Sequence, residues 1–242
     1  MTQEDLLKIA EQIYLEESPL CKKMNRVMDQ RLGDLAQDNP DLVITDIKTD
    51  EKTLDSFLDK VIAKKYKEPE QIGQITDHAR GRIILRYIDQ IPLVAEKVLA
   101  MTDIAVPKDG ITDYIHFPKN NGYRGYHIVL QKLIDNHLVP FELQIRTMAQ
   151  HLWASFEHGF RYKNPSAEIT EAMHAALKAM AEKLNEVDWM LVALRDQLKP
   201  DRVVLDVHKE MSLLAAQAFS DIAIAVSAEK TPKKKRKKKK RH

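Results

Sequence analysis

Residues 3–37 repeat apolar side chains at helical spacing: Leu6, Ile9, Ile13 and Leu20, then Met24, Val27, Met28, Leu32 and Leu35. Asn39-Pro40 breaks that run. Val43 to Ile47 reads as a short strand and Thr53 to Tyr66 as a second amphipathic helix. Ile83 to Ile88 is a short apolar run after a glycine, the pattern of a central strand. Pro92 to Met101 reads as a helix opened by proline.

The next stretch alternates with period two. Tyr126 to Ile134 and Val139 to Arg146 are strands, joined by Asp135-Asn136-His137 as a hairpin loop. Neighbouring side chains of a strand point to opposite faces. Val139, Phe141, Leu143 and Ile145 therefore face a core, and Glu142, Gln144 and Arg146 share the other side. On the preceding strand His127 and Val129 share a face, as do Ile128 and Leu130. From Thr147 the period turns helical, with Leu152, Phe156 and Phe160 at i, i+4 and i+8. A long helix follows from about Glu168 to Leu198, stopped before Pro200, and another from Val203 to Ser227. The pattern predicts an α+β fold: a mixed β-sheet flanked by N- and C-terminal helices. Its parts are a helical stretch at 1–70, a catalytic core with the sheet at 71–165, helices at 166–230 and a basic tail at 231–242.

Composition narrows the class. Apolar residues make up 44% of the chain and charged residues 31%, ordinary for a soluble protein. No apolar run approaches the length of a membrane span, and the acidic Met1 to Asp5 stretch does not read as a signal peptide. The lone Cys21 excludes an internal disulfide and cysteine-rich zinc sites, and it fits a reducing cytoplasm. The formal charge of +2 conceals nine Lys and Arg in residues 231–242, which leaves −7 on the remainder. Such a run is first a solvated tail and second a weak contact for polyanions such as RNA. It also matches the pattern of a nuclear import signal, which any lysine run produces.

Three polar islands interrupt the scaffold: Asp77 to Arg82, Asp113 to His127, and Glu142 to Thr147 with its extension through Trp153, Glu157, His158 and Lys163. Together they hold two carboxylates suited to a divalent metal, cations for phosphates, and tyrosines that can stack on a base. Magnesium is usually held by one or two carboxylates plus substrate phosphates, which suits Asp77 and Glu142. Phosphoryl-type transfer asks mainly for positioning, charge neutralisation and an oriented nucleophile. Each residue also has a plainer account. Glu142 could be a solvated strand face, Asp77 a turn cap, Tyr123 a hairpin aromatic, and His127 a satisfied core histidine. Lys119 and Arg124 could be surface cations, and His151, His158 and Trp153 supports for a helix behind the site.

The order of the islands decides between these accounts. Asp77…Arg82, Asp113-Tyr114-Ile115, Pro118-Lys119-Asn120-Asn121-Gly122-Tyr123-Arg124-Gly125-Tyr126-His127 and Glu142-Leu143-Gln144-Ile145-Arg146-Thr147 stand in sequence. They resemble the D-x-x-G-x-R, K-D-Y-I, P-K-x-N-G-Y-R-S-L-H and E-x-Q-I-R-T elements of the RelA/SpoT synthetase domain, especially its single-domain small alarmone synthetases. The resemblance is strong over residues 77–163. It implies a nucleotidyltransferase-like fold and transfer of the β,γ-pyrophosphate of ATP to the 3′-hydroxyl of GDP or GTP. It implies Asp77 and Glu142 as catalytic ligands of Mg2+, with Glu142 also taking the hydroxyl proton. Lys48 and Arg82 would serve ATP. Tyr114, Lys119, Asn121, Tyr123, Arg124, His127 and Gln144 would serve the acceptor, with Tyr123 stacked on guanine and Arg146 in support. Assembly through terminal helices, common in small relatives, adds a homo-oligomer to these expectations.

Three departures bear on the acceptor. Arg80 stands where the family has glycine, Thr112 replaces the lysine of K-D-Y-I with Lys108 nearby, and R-x-K reads Asp46-Ile47-Lys48. The shifted glycine would change how closely a turn approaches a ligand, and an aspartate beside ATP phosphates is unfavourable. Some small relatives are toxins that modify the 3′-CCA end of tRNA, countered by an antitoxin, or make adenosine alarmones. Those are the alternatives, followed by an inactive nucleotide- or RNA-binding module.

Overall fold

The structure, a computed structural model, describes residues 2–163 and 170–198. The chain divides into two compact units, residues 1–185 and 186–242. Everything below concerns the first. The expected Val203–Ser227 helix and the basic tail lie outside the described residues. Among the described residues, no helix is long and apolar enough to cross a membrane.

Helix α1 (Gln3–Asp38) opens with a capping box in which Thr2 and Asp5 satisfy each other's backbone N–H groups. Its stripe Leu6, Ala10, Cys21, Met24, Met28, Leu32 and Leu35 is buried. Burial pushes the Cys21 thiol up to about 12, so it is not a nucleophile at neutral pH. Strand β1 (Ile44–Glu51) follows, then α2 (Leu54–Ala63), capped by the Thr53 hydroxyl, and the single turn α3 (Pro69–Ile72). Strand β2 (Ala79–Leu85) leads through a 3-10 turn into α4 (Ile91–Leu99). The short β3 (Ile111–Asp113) precedes the hairpin β4 (Tyr126–Ile134) and β5 (His137–Thr147). Helices α5 (Met148–Lys163) and α6 (Glu171–Leu198) complete the described elements.

The sheet runs β1-β2-β5-β4-β3. Only the β2–β5 pair is parallel; the other neighbours are antiparallel. The predicted alternation of β5 holds: Val139, Phe141, Leu143 and Ile145 are buried, and so are Ile128 and Leu130 of β4. The hairpin turn is tighter than the expected three-residue loop. Asp135 and Asn136 take positive φ (48° and 62°) and His137 pairs with Ile134. That is the twist two-residue hairpins favour.

Three features differ from the pattern reading. β1 extends to Glu51 because Asp46 through Glu51 pair with β2, although Lys48-Thr49-Asp50-Glu51 has little strand character of its own. β2 begins at Ala79 rather than Ile83 and ends at Leu85, with Ile88 already in the 3-10 turn. The row Leu152, Phe156 and Phe160 is the exposed side of α5, and Trp153 is its buried anchor. Periodicity identifies a helix and its apolar row, but not the side on which a neighbour packs.

Candidate active site

Because side chains two apart share a strand face, the register lines up polar residues across the sheet. Lys48 of β1 stands opposite Arg82 of β2, which neighbours Gln144 of β5, which faces His127 of β4. One step along, Asp50 faces Arg80, Arg80 neighbours Glu142, and Glu142 faces Val129. The opposite face is the apolar core. At Gly81 a Cβ would lie 2.7 Å from the Phe141 ring and 3.1 Å from the Lys48 carbonyl, so this strand pair admits only glycine there without a shift. The polar face floors a cleft of about 990 Å³, walled by the Tyr114–Tyr123 loop and by α5. Seven Lys and Arg side chains and four carboxylates line it, a surplus that favours a polyanionic ligand.

Glu142 is the point on which a hydrogen-bond relay converges. The Tyr123 hydroxyl accepts from Arg146 Nε (3.1 Å) and Nη2 (2.7 Å), so its own proton goes to His127 Nε2 at 2.5 Å. An accepting Nε2 leaves the proton on Nδ1, which lies 3.5 Å from Glu142 Oε1. Burial, with Arg146 and Lys119 nearby, lowers the His127 pKa to about 3, so the ring is neutral as this tautomer requires. By the other branch, Arg146 Nη2 donates to Gln144 Oε1 (2.5 Å) and Gln144 Nε2 donates to Glu142 Oε1 (2.6 Å). Gln144 hydrogen-bonds Oε1, and His127 Nδ1 stands 3.5 Å from the same oxygen without a hydrogen bond to it. Oε2 takes no hydrogen bond among the described residues.

Asp77 sits just before β2 between Lys52 Nζ (3.0 Å) and Lys60 Nζ (2.8 Å). Burial alone would raise its pKa, but the two ammonium groups outweigh it and hold the group below the usual carboxylate range. Beside it, Asp50 gathers Arg80 (2.6 Å), Arg82 (3.4 Å) and Lys48 (3.9 Å).

The loop wall carries the aromatic groups. Lys119 Nζ stands 4.5 Å from the Tyr114 ring centroid and 4.8 Å from that of Tyr123. Burial lowers the Lys119 pKa, opposed by Glu142 and assisted by Arg146. Tyr123, 8% exposed, is enclosed by Tyr114, His127 and Trp153 at edge-on angles, while Tyr114 is only half-buried. Asn121 ties the loop to α5: its Nδ2 donates to Glu157 Oε1 (3.3 Å), and its Oδ1 accepts from the Tyr123 N–H (3.2 Å). Gly122 between them has φ +91°, and a Cβ there would meet Ala181 at 2.7 Å.

Of the residues singled out from sequence, Lys48, Asp77, Arg82, Tyr114, Lys119, Asn121, Tyr123, His127, Glu142, Gln144 and Arg146 all line this one cleft. Arg124 does not. Its guanidinium pairs with Glu182 of α6 (3.1 Å), because successive residues after the Gly122 turn point apart. Asp46 also stays outside the lining, and the acid that faces the cations is Asp50. The expected turn at Arg80-Gly81 is strand: Gly81 faces the core and Arg80 the cleft. His151 and His158 line the cleft rather than lying behind it, whereas Trp153 is buried and donates to the Leu177 carbonyl (2.9 Å).

Sequence reasoning missed Asp50, Lys52, Lys60 and Lys64, and it placed Glu157 in the third polar island without a role. Lys60 and the C-cap Lys64 fall one turn apart at the end of α2, and Lys52 continues the period-two row of Lys48 and Asp50. Those spacings were the available signals.

Asp77 and Glu142 are hard oxygen donors in one cleft, and no cluster of three or more metal-ligating side chains occurs among the described residues. Such a pair fits magnesium completed by phosphate and water oxygens, and fits poorly a metal held by protein alone.

Residues 50–167 match the family described as the region found in RelA / SpoT proteins. The chain is 32% identical over 165 residues to the GTP pyrophosphokinase YjbM of Bacillus subtilis, covering 66% of this chain and 76% of that protein. It is 30% identical over 153 residues to the GTP pyrophosphokinase YwaC of the same organism, covering 61% and 71%. Among solved structures, small alarmone synthetase 1 from Bacillus subtilis, bound to its product pppGpp, superposes with TM-score 0.68 at 26% identity, covering 74% of this chain and 94% of that one. Small alarmone synthetase 2 from the same organism gives 0.67 at 28%, covering 76% and 98%.

Proposed function

Since this chain belongs to the RelA/SpoT family, in its small alarmone synthetase branch, and is a pyrophosphokinase, we propose that its acceptor is GDP or GTP and its donor ATP. The reaction forms a bond between the acceptor 3′-oxygen and the β-phosphorus of ATP. It breaks the bond from that phosphorus to the α–β bridging oxygen, so AMP leaves and the hydroxyl proton passes to Glu142. The observation that carries this reading is the relay converging on Glu142 Oε1, which leaves Oε2 directed by its partners and uncommitted. A carboxylate so oriented is a general base that pays little to find its geometry.

Asp77 and Glu142 would hold Mg2+, which supplies charge neutralisation on the transferring phosphates. Lys119, with Tyr114 beside it, lies on the acceptor wall, and Arg82 and Lys48 on the β1–β2 side suit the donor phosphates. Lys52 and Lys60 keep Asp77 ionised until the donor arrives.

The test is one reaction offering γ-labelled ATP with GDP, GTP, AMP, ADP and tRNA as competing acceptors. Label is expected in a guanosine nucleotide, and its absence there overturns the assignment. A tRNA acceptor is the second reading, favoured by the nine Lys and Arg of residues 231–242. It predicts label in tRNA, and weaker tRNA binding with a flatter salt dependence once those residues are deleted.

A further inference from the structure

The β1–β2 edge of the cleft holds a charge that the family pattern does not contain. Where that pattern has glycine, this chain has Arg80, and the register sets it opposite Asp50 on one side and next to Glu142 on the other. Neighbouring strands lie about 4.8 Å apart, so Arg80 rises between the two carboxylates. Asp50 Oδ1 accepts from Arg80 Nε at 2.6 Å, and Asp50 Oδ2 from Arg82 Nη2 at 3.4 Å, with Lys48 Nζ at 3.9 Å. One half-buried carboxylate thus faces three cations. Arg80 commits only its Nε to that carboxylate, and the forked Nη groups made for bidentate anions take no hydrogen bond among the described residues. All four side chains line the cleft.

An isolated cross-strand ion pair needs one cation. Three around one carboxylate, on the floor of a site already rich in positive charge, are the constellation of a polyphosphate with an internal stand-in. We propose that Arg80 is a ligand of the donor's phosphates and that Asp50 is a placeholder that competes with them for Arg80 and Arg82. When the donor binds, the arginines turn from Asp50 to phosphate oxygens. Arg80 then raises donor affinity and Asp50 lowers it, and neither acts on the acceptor.

This inference rests on ATP being the donor. Its test reads binding of the α,β-methylene analogue of ATP by calorimetry at fixed magnesium, together with label transfer to GDP. Losing a charge-assisted bidentate contact weakens binding about tenfold or more, so Arg80→Gly is expected to do so, with Arg80→Lys recovering part. Asp50→Asn is expected to tighten the analogue several-fold in the wild-type background and to do so less in Arg80→Gly, where only Arg82 remains to be released. The KM for GDP should stay within about twofold throughout. A wild-type protein that transfers no label defeats the underlying assignment of function. Wild-type transfer with analogue affinity unmoved by Arg80→Gly, or weakened by Asp50→Asn, overturns this inference alone. Thermal melting without ligand identifies a variant that has lost its fold, in which case Arg80→Lys carries the test.

Discussion

The two sides of the cleft are built on opposite principles. The β4–β5 side is a hydrogen-bond network in which Arg146 bonds Tyr123 and Gln144, Tyr123 bonds His127, and Gln144 bonds one oxygen of Glu142, with Tyr123 and Arg146 buried. The β1–β2 side is a field of ion pairs around Asp50 and Asp77, several of them open to water, with Lys48 57% exposed. Buried hydrogen-bond networks fix geometry at the cost of intolerance to any missing partner. Exposed ion pairs are individually weak and exchangeable. The reaction uses both, since a base must be aimed, whereas phosphates must be taken up and released.

The sharpest way to break this contrast is at its focus. Glu142→Gln keeps the shape of the network but removes the proposed base, and label transfer should fall by about 10²–10⁴ while the melting transition moves little. Tyr123→Phe removes the oxygen that joins Arg146 to His127 and leaves buried polar groups unpaired. It should cost about 1–3 kcal/mol in a urea melt and lower kcat more than it raises the donor KM.

A pH series separates the two sides further. The His127 pKa is lowered from 6.5 to about 3 by burial and by Arg146 and Lys119, so folding favours the neutral ring. The unfolded chain therefore binds the extra proton between those values. The stability contributed by the neutral ring is present above pH 6.5 and is lost as pH falls toward 3. Melts from pH 6.5 to 4.5 should show this loss, and His127→Gln should flatten it. His151, also lowered by burial and by Arg82, adds a smaller slope of the same sign. The smallest effect is expected on the open side. Lys48→Ala should raise the ATP KM by only about twofold and leave the melt unchanged, as its exposure predicts.

Much of this site is legible before folding because the relay residues lie close along the chain. Glu142, Gln144 and Arg146 share a face by period two, and Tyr123 and His127 are four residues apart just after a turn marked by Asn121-Gly122. The lysines that hold Asp77 were not legible. Lys52 and Lys60 read as ordinary surface cations until β1 and α2 bring them to a carboxylate 25 and 17 residues away. Arg124 differs in the opposite sense. It belongs to the motif, but its guanidinium pairs with Glu182 and stays out of the cleft lining.

Local sequence therefore determined the elements and the apolar and polar faces of β4 and β5, because side-chain alternation is a property of each strand alone. Tertiary structure decided the rest: that Lys48-Thr49-Asp50-Glu51 becomes strand by pairing with β2, that Gly81 packs under Phe141, and that Arg80 meets Asp50 in the cleft. Those outcomes depend on register between strands distant in sequence, and register is set by burying the core face as a whole, which no single segment encodes.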